Sequence, residues 1–184
     1  SIISLFDALH NPAATGNRDK EAAKFHKSIT ADLLAVSAID EDRILRRFMA
    51  IVLATARTNA FSAAATEALA FKLDCAKVPG LPTPLPWREV FVYSPRVEGI
   101  HLRAGPVARG GLRWSDRKED FRTEVLGLMK AQNVKNTIIV PVGAKGGFVV
   151  KNLPENGTRD EVMAEVVRCY KIFINALLDI TDNI

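Results

Sequence analysis

Between Gly105 and Lys151 the chain carries two double glycines, each with a cation immediately before it: Arg109 ahead of Gly110-Gly111, and Lys145 ahead of Gly146-Gly147. Paired glycines leave the backbone bare and conformationally free, so both doublets are read as turns. A third cation, Lys135, ends the helix-like segment between them. Cations beside exposed backbone N–H groups suit a small polyanion, and an amine held among other cations is pushed toward its neutral, reactive form. Residues 103–151 hold ten Arg or Lys against four Asp or Glu, whereas the whole chain has a net charge of only +4. The basic character is therefore concentrated where it would draw in an anionic ligand.

Composition removes several other function classes. With 184 residues, 48% hydrophobic and 25% charged, the chain suits one packed domain or two small ones of a globular protein. The longest apolar run, about Phe48 to Ala56, falls well short of the roughly 18 residues a membrane span needs. No basic stretch leads into an apolar one as in a signal peptide. Cys75 and Cys169 match no metal spacing and are expected to be reduced packing residues of a cytoplasmic protein. His10, His26 and His101 are scattered, so neither a zinc site nor a Ser-His-Asp triad is expected. The basic segment lacks interleaved aromatics, which argues against a nucleic-acid partner. Opening at Ser1 and stopping at Ile184 directly after a helix, the sequence is expected to be cut from a longer protein.

Along the chain, the first part is helical in character. Lys20–Val36 is rich in helix formers, with apolar positions at Phe25, Ile29, Leu33 and Leu34. Ser37 and Asp40 fit a capping box for a second helix, in which Ile44, Leu45, Phe48, Val52 and Thr55 recur at helical spacing. Alanines from Ala63 to Ala70 continue or resume it. Four prolines between Pro79 and Pro86 predict an extended connector. After it the period changes: Glu89–Ser94 and Gly99–Arg103 read as strands around a Ser94-Pro95 turn. Asp116 and Glu119 fit caps for a helix with Phe121, Val125, Leu128 and Gln132 on one face. Thr137–Val140, bounded by Pro141, and Phe148–Lys151 read as strands. Thr158 and Glu161 fit a capping box for a last helix with a stripe of Val162, Val166, Tyr170, Phe173 and Leu177. The expected organisation is a helical segment over 1–78, a Pro-rich connector over 79–88 and an α/β domain over 89–184, with a mixed β-sheet and flanking helices.

Each candidate site residue has a plain reading beside the functional one. Lys145 does not fit a Walker loop, because G-K-[ST] leading into a helix is missing. It is either a hairpin lysine pointing into water or a reactive amine between glycines. Lys135 either complements a helix C-terminus or, with Gln132 one turn earlier, binds a carboxylate. Arg109 offers a planar fork that matches a carboxylate, while Arg113 is free to hold the loop through Asp116 or Glu119. A solvated charge run accounts for Arg117 to Asp120.

The runs A-R-G-G-L-R (Ala108–Arg113), A-Q-N-V-K (Ala131–Lys135) and P-V-G-A-K-G-G (Pro141–Gly147) resemble, in the same order, the substrate-domain signature of glutamate dehydrogenases. V-Y-S-P-R-V-E-G-I-H-L-R, G-G-L-R-W-S-D-R and F-R-T-E-V-L-G-L-M-K-A-Q resemble more narrowly the large-subunit bacterial class of NAD-dependent glutamate dehydrogenases. The runs Asp40–Arg47 and Ala56–Phe61 resemble the segment just upstream in that class. The resemblance implies a substrate-domain-like fold and oxidative deamination of L-glutamate to 2-oxoglutarate and ammonia. It implies Lys145 as the catalytic lysine and Gln132 with Lys135 on the α-carboxylate. Arg109, beside Gly110 and Gly111, falls where smaller relatives place a lysine on the side-chain carboxylate. The glycine loop is one residue shorter than in those smaller enzymes.

The same resemblance implies NAD as cofactor, held by a Rossmann domain absent from this chain, since no G-x-G-x-x-G occurs. It also implies a homo-oligomer with contacts near Glu89 and Gly99, and a catalytic aspartate beyond Ile184 (neither Asp179 nor Asp182 sits in the motif). The 184 residues alone are expected to be inactive. A dehydrogenase for another amino acid and a non-catalytic basic module binding nucleic acid or an acidic partner are the alternatives.

Overall fold

The computed structural model describes residues 1–62, 67–135 and 142–181, with backbone alone for 133–135. The expected strand over Thr137–Val140, with Pro141, lies outside the described residues, as do residues 63–66 of the alanine run and Asp182.

Three helices open the chain: α1 (Ile2–His10), α2 (Arg18–Leu33) and α3 (Ile39–Ala54). Helix α1 went unread in the sequence, although Ile2, Leu5, Phe6 and Leu9 fall on one face and the Ser1 hydroxyl accepts from the Ser4 N–H at 3.3 Å. Asn17 caps α2 by accepting from the Lys20 N–H at 3.0 Å. The expected Ser37–Asp40 box does not form: Ala38 is the N-cap of α3 and gives no side-chain bond. Three acidic residues in the first turn, Asp40, Glu41 and Asp42, offset this by facing the positive end of the helix dipole. Leu5, Ala22, Ile29, Leu33, Met49 and Val52 close a small core among the three helices.

The helical reading fails at Thr55. There the chain turns into strand β1 (Thr55–Thr58), then β2 (Leu69–Asp74), where the alanine run had been read as helix. Tertiary context overrides propensity at this point. Ala68 and Ala70 are buried with the residues of the last helix, and Asn59 ties the two strands together. Its amide donates to the Ala68 carbonyl at 3.0 Å, and its oxygen accepts from the Ala70 N–H at 2.8 Å. The Pro-rich segment leaves the sheet after β2. It loops out between β2 and its antiparallel neighbour β3 (Arg88–Tyr93), which pair from Leu69↔Tyr93 to Asp74↔Arg88.

Strand β4 (Val97–Arg103) follows β3 through a turn closed by the Ser94 N–H donating to the Val97 carbonyl at 2.9 Å. Strands β5 (Ala108–Arg109) and β6 (Leu112–Trp114) precede helix α4 (Phe121–Lys135). Asp116 and Glu119 lie in the turn ahead of α4; the Thr123 and Glu124 N–H groups are taken by the Asp120 carbonyl instead. The buried face of α4 is Phe121, Val125, Leu126 and Met129, so Met129 and Leu126 replace the expected Leu128. Strand β7 (Val142–Val150) and helix α5 (Arg159–Asp179) complete the chain. The capping box of α5 forms as expected, with Glu161 accepting from the Thr158 N–H at 2.7 Å. Val166, Phe173 and the half-buried Leu177 face inward, but Tyr170 is exposed, and Cys169, Ile172 and Ala176 fill the seam.

Among the described residues seven strands form one mixed sheet in the order β1-β2-β3-β4-β7-β5, with β6 also on β7. Side chains alternate across it. Val90, Val92, Val97, Phe148 and Val150 meet α5, whereas Ile100, Leu102 and Val149 meet α4. Cys75 and Cys169 are buried free thiols, both pushed up to about 12 by burial, which leaves them unreactive packing residues. No helix among the described residues is long and apolar enough to cross a membrane.

His101, on the α5 side of β4, is lowered from 6.5 to about 4, first by burial and then by Arg103. Its unfolded imidazole takes a proton near pH 6.5 and its folded one only near pH 4, so between these values the unfolded state binds more protons. Stability contributed above pH 6.5 is therefore lost as pH falls toward 4, by roughly 3 kcal/mol from this group alone. Glu165, held below its ordinary range by Arg96, adds its loss only at lower pH. Urea unfolding at pH 7 and pH 5 is expected to show a markedly smaller drop for His101→Gln than for the parent; equal drops would contradict the assignment.

Candidate functional site

Neither double glycine is a turn. Gly110 and Gly111 link β5 to β6, which both run parallel to β7 in one register: Ala108↔Val142, Arg109↔Gly143, Leu112↔Gly146, Arg113↔Gly147. The Gly111 carbonyl accepts from the Gly146 N–H at 3.1 Å. Gly146 and Gly147 lie inside β7, paired with His101 and Ile100 of β4. None of the four has a positive φ. At three of them, Gly110, Gly146 and Gly147, neighbours come too close for a Cβ. At Gly110 it would land on the Ala144 carbonyl oxygen, at Gly146 on Leu112 and at Gly147 on Val125 of α4. The hairpin reading of Lys145 falls with the turns: Lys145 sits mid-strand, opposite Leu102, on a strand bonded along both edges.

Strand alternation then sorts the cations. Leu102 packs toward α4, so its partner Lys145 projects to the same side. Gly143 and Gly147 share that side with Lys145, and their partners Arg109 and Arg113 follow. Arg109, Arg113 and Lys145 thus stand on the face covered by α4. Arg113 pairs at 2.8 Å with Glu124 of α4, not with Asp116 or Glu119 as expected. Glu124 also accepts from the Ser115 hydroxyl at 2.5 Å, so this trio pins β6 to the helix. No spacing in the sequence announced Ser115 or Glu124, because their partners come together only through the β6–α4 turn. Arg117 and Asp120 pair within the turn, in keeping with a local charge run.

Helix α4 starts beside Gly147 and ends at Lys135, and residues 136–141 are all that separates it from the start of β7. Its C-terminal end, carrying Gln132 and the Lys135 backbone, is therefore tied to within about 25 Å of the end of β7 bearing Gly143 and Lys145. Arg109 is exposed, while Lys145 and Gln132 are half-buried. What the described residues bring together is one face of the sheet and one helix end. Such a face can hold an anion by several cations and present an amine to it. Among the described residues there is no cluster of three His, Cys, Asp or Glu side chains suited to a metal ion.

Residues 28–184 match the family described as bacterial NAD-glutamate dehydrogenase, catalytic domain. The chain is 55% identical over its full length to the NAD-specific glutamate dehydrogenase of Mycobacterium tuberculosis, of which it covers 12%. It is 58% identical over 88% of its length to the protein of that name from Pseudomonas aeruginosa, covering 10% of it. For the Halomonas elongata protein of the same name the identity is 53%, over the full chain and 12% of the relative. The chain thus spans about an eighth or less of the length of the curated relatives it matches.

Replacing Gly110 with alanine is expected to cost about 3 kcal/mol, because the Ala144 carbonyl belongs to a strand fixed on both edges and has nowhere to yield. Chemical denaturation of the Gly110→Ala and Gly111→Ala proteins checks this. Gly111 has open space around its missing Cβ, so a loss at Gly111 as large as at Gly110 would contradict the close-approach account.

Proposed function

The chain belongs to the bacterial NAD-glutamate dehydrogenase catalytic-domain family, and from that premise we propose that it supplies the substrate-binding face of an enzyme that oxidatively deaminates L-glutamate to 2-oxoglutarate and ammonia. The observation that carries the reading is the strand parity that sends Arg109 and Lys145 to the side of the sheet on which α4 bears Gln132 and Lys135.

In this reading Arg109 neutralises the side-chain carboxylate of the substrate, and its guanidinium fork fixes the orientation of that end. Gln132 and Lys135 hold the α-carboxylate from the C-terminal turn of α4. Gly110 and Gly111 keep the backbone low beneath the ligand. Two fixed carboxylates leave the Cα–H one direction in which to point, which is the entropic part of the catalysis. With the Cα–H lost as hydride to NAD, which the remainder of the protein would hold, and a proton lost from nitrogen, the Lys145 amine activates a water against the resulting imine carbon. The water oxygen becomes the 2-oxo group and the nitrogen leaves as ammonia.

These 184 residues do not fit the nucleotide: no G-x-G-x-x-G occurs, and the bared glycine backbone is already used in strand pairing. NAD is therefore assigned to the remainder of the protein's length, and the isolated chain is read as inactive. A partition into helices (1–78), connector (79–88) and substrate domain (89–184) stays a proposal at the level of folding units. It is qualified by β1 and β2, which join the sheet from the first of these. The reading extends to a cytoplasmic homo-oligomer whose partners are small molecules, without nucleic acid or membrane.

In the full-length protein, Lys145→Ala is expected to lower kcat by about a thousandfold or more, with the fold and NAD affinity retained. Steady-state kinetics alongside circular dichroism and NAD titration measures this. Near-normal kcat in the variant would remove Lys145 from the chemistry.

A further inference from the structure

Helix α3 carries more apolar surface than its own core covers. Leu45, Met49 and Val52 face the small core shared with α1 and α2. Beside them, about 100° round the helix, runs a second stripe of Ile44, Phe48 and Ile51 at i, i+4 and i+7. These three leave 62%, 52% and 38% of their surface exposed. Ile3 of α1, 77% exposed, lines the same cavity as Phe48 and Ile51. One covered stripe suffices for a helix at a protein surface, and an apolar arc twice that wide is stable where both parts are covered.

The second stripe looks onto the sheet. Phe71 of β2 pairs with Phe91 of β3, and Phe91 packs against the residues beneath α4, so both rings stand on the α4 side. Leu73, two residues further along β2, shares that side. Cavities of about 330 and 300 Å³ lie over these strands, and Ile51, Phe71 and Phe91 line both, which makes them one groove. It runs from α1 and α3 to Arg122 of α4 and Leu81 of the Pro-rich loop. Helix α4 covers Ile100 and Leu102 of β4, while Phe6 of α1 reaches Phe71 of β2 with ring centroids 6.1 Å apart. The strip between, from β2 to β4, is two strand spacings or about 10 Å across, the width of one α-helix. The two charged residues among those lining the groove, Glu89 and Arg122, are bonded to each other at 3.0 and 2.6 Å.

We infer that this groove is filled by a helix from the rest of the full-length protein, laid between α3 and α4. Its apolar side chains, spaced at i, i+3 or i+4 and i+7, meet Phe48, Ile51, Phe71 and Phe91. Three observations favour this occupant. The chain covers only 12% of two relatives that it matches over its full length, so most of the polypeptide in a protein of that size lies outside these residues. A groove whose charges are already paired and whose other walls are apolar suits permanent cover better than a partner that comes and goes through water. Its width accepts one helix. The inference does not depend on the roles assigned to Arg109 and Lys145. It does bring the occupant against Arg122, in the first turn of α4, and so joins the rest of the protein to the helix that borders the proposed substrate face.

Photo-cross-linking of the full-length protein tests this, with p-benzoylphenylalanine in place of Phe48, Ile51 or Ile44 in turn. Ordinary and isotope-labelled protein are mixed before irradiation, and the joined peptides are identified by mass spectrometry. The expected adducts fall on one peptide outside these 184 residues, at positions three or four apart, and join chains of the same isotope only. The same probe at Tyr170, exposed on α5 across the sheet, is expected to miss that peptide. All three groove positions are partly exposed, and should one variant fail to fold the other two carry the same expectation. The inference is overturned if the probes react only within the 184 residues, if mixed-isotope pairs appear, which would make a second copy the occupant, or if no adduct with protein forms.

Discussion

Strand β7 is hydrogen-bonded along both edges and covered on both faces, and the rest of the structure is arranged around that constraint. On one edge it pairs with β4 over seven residues; on the other it accepts β5 and β6 in parallel. Phe148 and Val150 meet α5 on one side, and Val149 meets α4 on the other. A strand so enclosed has room for few side chains, and Gly146 and Gly147 are where neighbouring atoms press in. Lys145 is the long polar side chain left among them. Its backbone is fixed by its neighbours, and a functional group mounted on such a strand is held more narrowly than one on a loop.

Charge follows the same arrangement. Buried or half-buried carboxylates on the α4 side are answered by arginines: Glu89 by Arg122 at 2.6 Å, and Glu124 by Arg113 at 2.8 Å. These pairs hold the sheet and α4 together, while Arg109, four residues before Arg113 on the same face, remains exposed. Arg96 and Glu165, at 2.5 Å, do the equivalent for α5. Opposite signs therefore lock both helices to the sheet, and the basic excess of residues 103–151 is left over where a ligand anion would meet it.

Much of this was legible in the sequence, and the errors share one cause. Strands β3 and β4, the capping box of α5 and most of α2 and α3 follow from local patterns, where nearby residues settle the outcome. Alanines 68 and 70 misled because they are buried against α5 and bonded to Asn59, long-range contacts that propensity does not register. The double glycines misled for the same reason. Glycine admits both a reversed chain and a close neighbour, and only the pairing partners in β7 decide between them. Tyr170 and Leu128 were placed inward by periodicity, yet a helix lying on a twisted sheet buries a seam that drifts, here toward Cys169, Ile172, Leu126 and Met129. Ser115 and Glu124 left no trace, since their role arises only from how β6 meets α4. The candidate site was readable as an ordered set of motifs, whereas its geometry required the sheet.

The most direct test is a crystal structure of the full-length protein with 2-oxoglutarate. One carboxylate is expected against Arg109 and the other against Gln132 and Lys135, with the keto carbon within reach of the Lys145 amine, all on the α4 side of β7. Ligand bound on another surface, with Lys145 and Arg109 in contact with neither end of it, would contradict the account.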